Sequence, residues 1–267
     1  MLSQLHMAKS ALFSFQRKMQ LIANNISNAE TVGFKKSRME MESLFPLILE
    51  KTFTEFEETV VGLGQKRKKY MEYGQGVTIA DVTKNFSNGT ISITNIPLDM
   101  AIEGQGFFQV RLPDGRIGYS RAGNFHQDAE GNVVTPNGNP LEPSIRIPRN
   151  ATEIIINQEG RVFVQLNKET QPREIGQITL ATFPNPPGLK DIGQNSYVET
   201  VTSGEPVFEL PGRNAAGNIR QRALEFSNVN VIEEMMDMVL TQRSFEVIVK
   251  SIQAADSMLK VGNDLGK

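Results

Sequence analysis

An α+β fold is predicted for this 267-residue chain, with long N- and C-terminal helices forming a coiled-coil-like pair around an irregular, mainly β central body. Two observations predict it. Apolar or small residues recur at alternating steps of three and four at both ends, and the middle is cut into short apolar runs by dipeptides ending in glycine. The expected division has residues 1–39 and 226–267 as a terminal helical assembly domain and 40–76 as a variable charged extension. Residues 77–225 form the β-rich body, with a possible inner subdomain at about 107–183.

The first helix carries its stripe on Leu5, Ala8, Leu12, Phe15, Met19, Ile22 and Ile26. That spacing is a coiled-coil seam. A helix of about 30 residues is about 45 Å long and cannot bury such a stripe against itself, so its partner is the other end of the chain, other subunits, or both. The alternative is a two-helix hairpin packed on its own β domain. Asn24, Asn25 and Asn28 then crowd into five residues. Short amides compete for backbone hydrogen bonds, so they suit a helix end and turn, after which Gly33 supplies backbone freedom and Phe34 an anchor.

Between residues 40 and 76, Glu55, Glu57 and Glu58 precede Lys66, Arg67, Lys68 and Lys69. Such a charge run is a solvated face or loop, or an arm making complementary contacts with neighbours. In the body, Asn88-Gly89, Asp114-Gly115, Glu130-Gly131, Asn137-Gly138 and Glu159-Gly160 are read as tight connections. The strands expected between them are Val77 to Val82, Ile91 to Ile93, Phe107 to Leu112, Ile154 to Ile156, Arg161 to Leu166 and Gln177 to Phe183. Pro184 to Gly188 and Pro211 to Gly217 are expected as loops. The last helix repeats the seam on Val231, Met235, Met238, Gln242, Phe245, Val249, Ile252, Asp256 and Leu259, with polar breaks only at Gln242 and Asp256. Met235, Met236 and Met238 fill gaps in a seam, or else mark an adaptable groove-binding helix.

The wording of both ends is distinctive. Ala23-Asn24-Asn25-Ile26 followed by Asn28-x-x-Thr31-x-Gly33-Phe34-Lys35 closely resembles the N-terminal signature of the bacterial flagellar axial proteins that build the rod and hook. Leu224 to Val231, Thr241 to Glu246 and Ala254 to Leu259 resemble the matching C-terminal signature. The middle is similar too, at Gly104 to Val110, Tyr119 to Phe125 and Asp128 to Thr135. The resemblance covers almost the whole chain, and its length and continuous middle fit the distal rod class best, with the proximal rod class second; hook subunits are longer.

That resemblance implies a structural subunit of the rod, polymerising helically into the shaft that carries torque from motor to hook. The end helices form an inner tube and the body faces outward. Implied partners are copies of itself, proximal rod proteins, the hook protein, the surrounding ring proteins that act as bushings, and the flagellar export apparatus. The implied location is a rod spanning the periplasm, reached by type III export without a cleaved signal peptide. Leu5, Leu12, Phe15, Met19 and Ile22, with Met235, Met238, Gln242, Phe245, Val249 and Ile252, are expected at the assembly interface, while Asn24, Asn25, Asn28, Thr31, Gly33 and Phe34 shape the turn. The ends are expected to order only on joining, because an isolated seam has nothing to pack against. Circular dichroism of the isolated monomer should then show less helix than two full-length terminal helices contain; a full complement would contradict it.

Composition excludes several rivals. A net charge of −2 gives no bulk attraction to nucleic acid, and the absence of cysteine removes disulfides and thiol nucleophiles. No stretch approaches the roughly 20 apolar residues of a spanning helix, and the N-terminus lacks a secretory cleavage pattern. Composition by itself fits a cytoplasmic protein. No enzyme is expected: Asp114, Asp128, Glu130, Glu142, Glu153 and Glu159 could be paired for glycoside hydrolysis, but each lies at a turn or strand edge where acids are ordinary. His6 and His126 lack metal-ligand spacing. Gly104-Gln105-Gly106 leads into Phe107-Phe108 rather than a helix, which argues against a phosphate loop, and Asp128 to Gly131 reads as a turn rather than a calcium loop. No cofactor or metal is expected. A secreted coiled-coil adhesin is the reading outside the rod.

Overall fold

A computed structural model describes residues 2–44, 47–49, 71–73, 76–167 and 171–265. The charged stretch from Glu55 through Lys69 lies outside the described residues, as do the side chains of Leu5 and Leu259. Two long helices, α1 (Leu2–Ser27) and α2 (Val231–Leu265), flank a series of short strands, so the class is α+β. The chain divides into two compact units, one made of Met1–Ala23, Met39–Val82 and Met235–Lys267, the other of Asn24–Arg38 and Thr83–Glu234.

The first unit holds most of both helices. Strand Ser37–Ser43 pairs with Val77–Lys84, and Leu47–Leu49 runs antiparallel to Met71–Tyr73. The two helices present their side chains differently. In α1, Leu12, Phe15 and Met19 are partly buried and Ile22 is buried. Ser14 is buried as well, its hydroxyl donating to the Ser10 carbonyl 3.0 Å away, which satisfies it without a partner element. In α2 the partly buried stripe is Met238, Phe245, Ile248, Val249 and Ile252, joined by buried Glu234 and Thr241. Met235 and Gln242 are exposed instead. Met238 and Phe245 share their side of the helix with Glu234 and Thr241, four residues back, rather than with Met235 and Gln242, three residues back. A second stripe of Ile232, Met236, Val239, Val247, Met258 and Val261 is exposed on nearly the opposite side of α2.

In the second unit the main sheet runs, in spatial order, Lys190–Gly193, Ser196–Val198, Ile117–Ser120, Phe107–Arg111, Leu180–Thr182 and Val207–Glu209, and Leu141–Glu142 also pairs with Phe107–Arg111. Successive side chains on a strand point to opposite faces, and Phe107 and Phe108 show the consequence. Phe108 enters a cluster with Met100, Phe125, Leu141, Val164 and Leu180, while Phe107 enters another with Tyr119, Phe183, Leu189 and Tyr197. The second cluster is built on edge-to-face rings, Tyr119 with Phe183 at 4.8 Å and Phe86 with Phe107 at 5.2 Å between centroids.

Most expected strands are present, with Gln177 to Phe183 corrected. Arg173–Gln177 pairs with Arg161–Leu166, and Leu180–Thr182 pairs with Phe107–Arg111. The chain changes sheets between them, where the Ile178 amide donates to the Gly160 carbonyl at 2.8 Å. Four of the glycine dipeptides close turns between paired segments, with Gly115, Gly131, Gly138 and Gly160 at positive φ. Asn88-Gly89 does not. Gly89 is there for close approach: a Cβ would fall 1.9 Å from the Phe226 carbonyl oxygen.

Candidate functional site

The residues that follow α1 and those that precede α2 meet in the second unit, in a cluster built from opposite ends of the sequence. Gly33 donates its amide to the Glu225 carbonyl at 2.8 Å, and Lys35 places its ammonium 2.7 Å from Glu225 Oε1, both side chains being fully buried. The same Oε1 accepts the Gly89 amide at 2.7 Å, and Lys35 also donates to the Ser87 carbonyl at 2.8 Å. Arg121, 2% exposed, approaches Glu225 Oε2 at 3.5 Å, donates to the Gly104 carbonyl at 2.9 Å, and lies over the Phe107 ring. Burial pushes the Lys35 ammonium and the Arg121 guanidinium below their ordinary values, and Glu225 pushes both back up. One carboxylate thus answers two buried cations.

A second knot lies beside the first in sequence. Asn25 is fully buried, and its side chain donates to the Ser37 carbonyl at 2.9 Å and to Glu234 at 3.0 Å while accepting the Ser37 amide at 3.0 Å. Lys36 pairs with Glu234 at 2.6 Å, and its amide donates to Asn228 at 2.8 Å. Asn228 in turn donates to the Asn85 carbonyl at 2.9 Å. The last turn of α1 is therefore bonded to the first turn of α2 through Asn25 and Glu234. Acidic Glu233 and Glu234 suit a helix N-terminus, and Asn230 caps it by accepting the Ile232 amide at 3.1 Å.

These contacts explain why α1 runs through the asparagines to Ser27 instead of ending at them. The Asn25 amide is spent on distant groups rather than on its own backbone, so it does not compete with the helix. Asn24 is exposed and takes its carbonyl bond from Asn28 at 2.9 Å; Thr31 donates to Asn28 at 3.2 Å. Phe34 is buried, with the Lys84 ammonium 4.9 Å from its ring centroid. Gly33 has φ +70°, and a Cβ there would lie 2.4 Å from the Ala122 amide nitrogen. Gly33→Val therefore combines a forbidden dihedral with a backbone clash and is expected to cost about 2–5 kcal/mol, more than conformational freedom alone would suggest. Urea denaturation measures it, and an unchanged midpoint would contradict the close approach.

Lys35, Lys36, Arg121, Asn228, Glu225 and Glu234 escaped the sequence reading as site residues. The one visible signal is a charge set directly among apolar anchors, as in Phe34-Lys35 and Leu224-Glu225-Phe226. Five of the six acids weighed for catalysis are engaged by neighbouring groups instead. Asp114 binds Arg116, Glu142 Arg111, Glu153 Arg222 and Glu159 Arg161, while Asp128 accepts the amides of Glu130 and Asn132 in its own turn. Hydrogen bonds and charge from Arg116 hold the Asp114 carboxyl below the usual range, and hydrogen bonds from the Asn132 side chain and the turn backbone do the same for Asp128.

A β body whose two flanking helices are locked together at their roots, each with an apolar stripe, defines a class of axial assembly protein. The family described as the flagella basal body rod protein matches residues 5–35, the flagellar hook protein FlgE/F/G D1 domain matches 101–164, and the flagellar basal body rod FlgEFG protein C-terminal region matches 220–265. The flagellar basal-body rod protein FlgG of Buchnera aphidicola is 40% identical over 261 residues, covering 97% of this chain and 98% of that protein. FlgG of Borreliella burgdorferi is 38% identical over 268 residues, 99% of each chain, and FlgG of Bacillus subtilis 33% over 265 residues, 97% of each. The chain belongs to the FlgG family of flagellar basal-body rod proteins. None of the matched families is an enzyme family, and no helix among the described residues is long and apolar enough to cross a membrane.

Proposed function

We propose that this rod subunit polymerises helically, through α1 and α2, into the distal shaft that carries torque from motor to hook. Residues 1–39 and 226–267 form the inner tube as a coiled-coil-like pair, residues 40–76 an extension toward neighbours, and residues 77–225 the outward body with an inner subdomain about 107–183. The interface uses the side chains named above from Leu5 to Ile252. Neighbours are like copies, proximal rod proteins, the hook protein and the bushing rings, reached by export without cleavage. The chain has no catalytic role in this reading.

The observation that carries it is the exposed apolar stripe of α2, with Ile232 71%, Met236 60% and Met258 74% exposed along a helix of 35 residues. Such a face wants a partner along its length. Head-to-tail contacts that do not close into a ring give the helical polymer a shaft requires. Electron cryotomography of motors lacking this chain tests it. A rod stub without a hook is the expected image, its length separating distal from proximal; intact rods and hooks would overturn the proposal.

A further inference from the structure

Among the described residues, the main sheet of the body ends in two margins that pair with no further strand. Lys190–Gly193 pairs inward with Ser196–Val198, and Val207–Glu209 pairs inward with Leu180–Thr182. Both margins carry exposed apolar side chains, Ile192 at 40% on one, Val207 at 50% and Phe208 at 53% on the other. Proteins that stay single normally blunt such margins, because unpaired backbone groups there recruit another strand. Lys190 makes no ion pair among the described residues, and one buried carboxylate oxygen of Glu209 has no hydrogen-bond partner. Asp191, between Lys190 and Ile192, is already held by Lys84 at 2.9 Å.

The topology decides how the margins could meet. All five junctions along the six-strand path are antiparallel, so the two margin strands run in opposite directions. A second copy set beside the first without inversion therefore adds one more antiparallel junction, and the sheet continues unbroken. In an antiparallel pair the residue numbers of partners keep a constant sum. The ladder of the first margin slips at Ile192, so its regular part is Lys190–Asp191, and the register that faces Lys190 with Glu209 sets an opposite-charge pair across the junction and brings the Ile192 bulge toward Val207.

We propose that Lys190–Gly193 of one copy pairs with Val207–Glu209 of the next, joining bodies by a sheet that runs from subunit to subunit; this rests on the reading that the chain polymerises. The contact is heterologous and leaves a free margin at each end, so it propagates with the rod instead of closing a dimer. Its short strands make it a supplement to the helices.

The chain has no cysteine, which makes cross-linking clean. Hook-basal bodies are isolated from cells carrying Lys190→Cys with Glu209→Cys, then mildly oxidised. The expected result is a ladder of disulfide-linked dimers and higher species, absent from either single variant, because facing residues of paired strands lie within disulfide reach. Assembled rods that yield only monomer would overturn the sheet contact and leave the polymer reading standing. Exposed, unpaired Lys190→Glu serves as a second variant that spares the fold. It should lower the yield of hook-basal bodies about tenfold, as the loss of a 1.4 kcal/mol contact implies, and an unchanged yield would overturn the contact. Absence of the wild-type chain from basal bodies would instead sink the polymer reading itself.

Discussion

Glu225→Ala is expected to destabilise the body by about 3–5 kcal/mol, because removing one partner of a buried pair leaves the other charge uncompensated. Two cations are stranded at once. Lys35 at 2.7 Å and Arg121 at 3.5 Å both depend on this carboxylate, and the Gly89 amide loses its acceptor as well. A body of this size is held by about 5–15 kcal/mol, so the variant gives up a large share of its stability, on the order of 10 °C in Tm. Adding Lys35→Met should return part of that loss, since one of the stranded cations is gone. Thermal denaturation followed by circular dichroism measures both variants. A single variant that melts within a degree or two of wild type would mean the cluster is not the buried clamp described.

Phe245→Asp is expected to abolish assembly while the body still folds. Phe245 lies partly buried in the inward stripe of α2, in the compact unit that holds both terminal helices, whereas the sheet and its two clusters belong to the other unit. A carboxylate in that stripe costs several kcal/mol per subunit, and a polymer repeats the cost at each copy. Cells carrying only this variant should not swim and should yield no hook-basal bodies, while the purified protein keeps the melting transition of its body. Swimming cells would show that the inward stripe of α2 is not needed for assembly.

The periodic parts of the fold were legible. Steps of three and four residues located both helices, and glycine dipeptides located four turns, because each signal is local and repeats over enough positions. The division of Gln177 to Phe183 between two sheets was not legible: both halves are apolar and extended, and only the tertiary pairing of Gly160 with Ile178 separates them. For the same reason α1 ran past its asparagines, whose partners Ser37 and Glu234 lie elsewhere in the chain. At the site, Gly33 and Phe34 stand out in the sequence as a turn glycine and an aromatic anchor, whereas Asn25, expected at a helix end, bonds Ser37 and Glu234 from within α1. Lys35 and Glu225 do not stand out, being 190 positions apart, since no period or motif of a single sequence joins two charges across that distance.

Electron cryomicroscopy of the isolated hook-basal body, at a resolution that traces this chain in the rod wall, decides whether the rod assembles through α1 and α2. The expected map has α1 and α2 lining the shaft's inner wall, with the exposed stripe of α2 against helices of neighbouring copies and the sheet facing outward. A wall in which the β bodies line the channel, or in which the α2 stripe faces solvent, would contradict it.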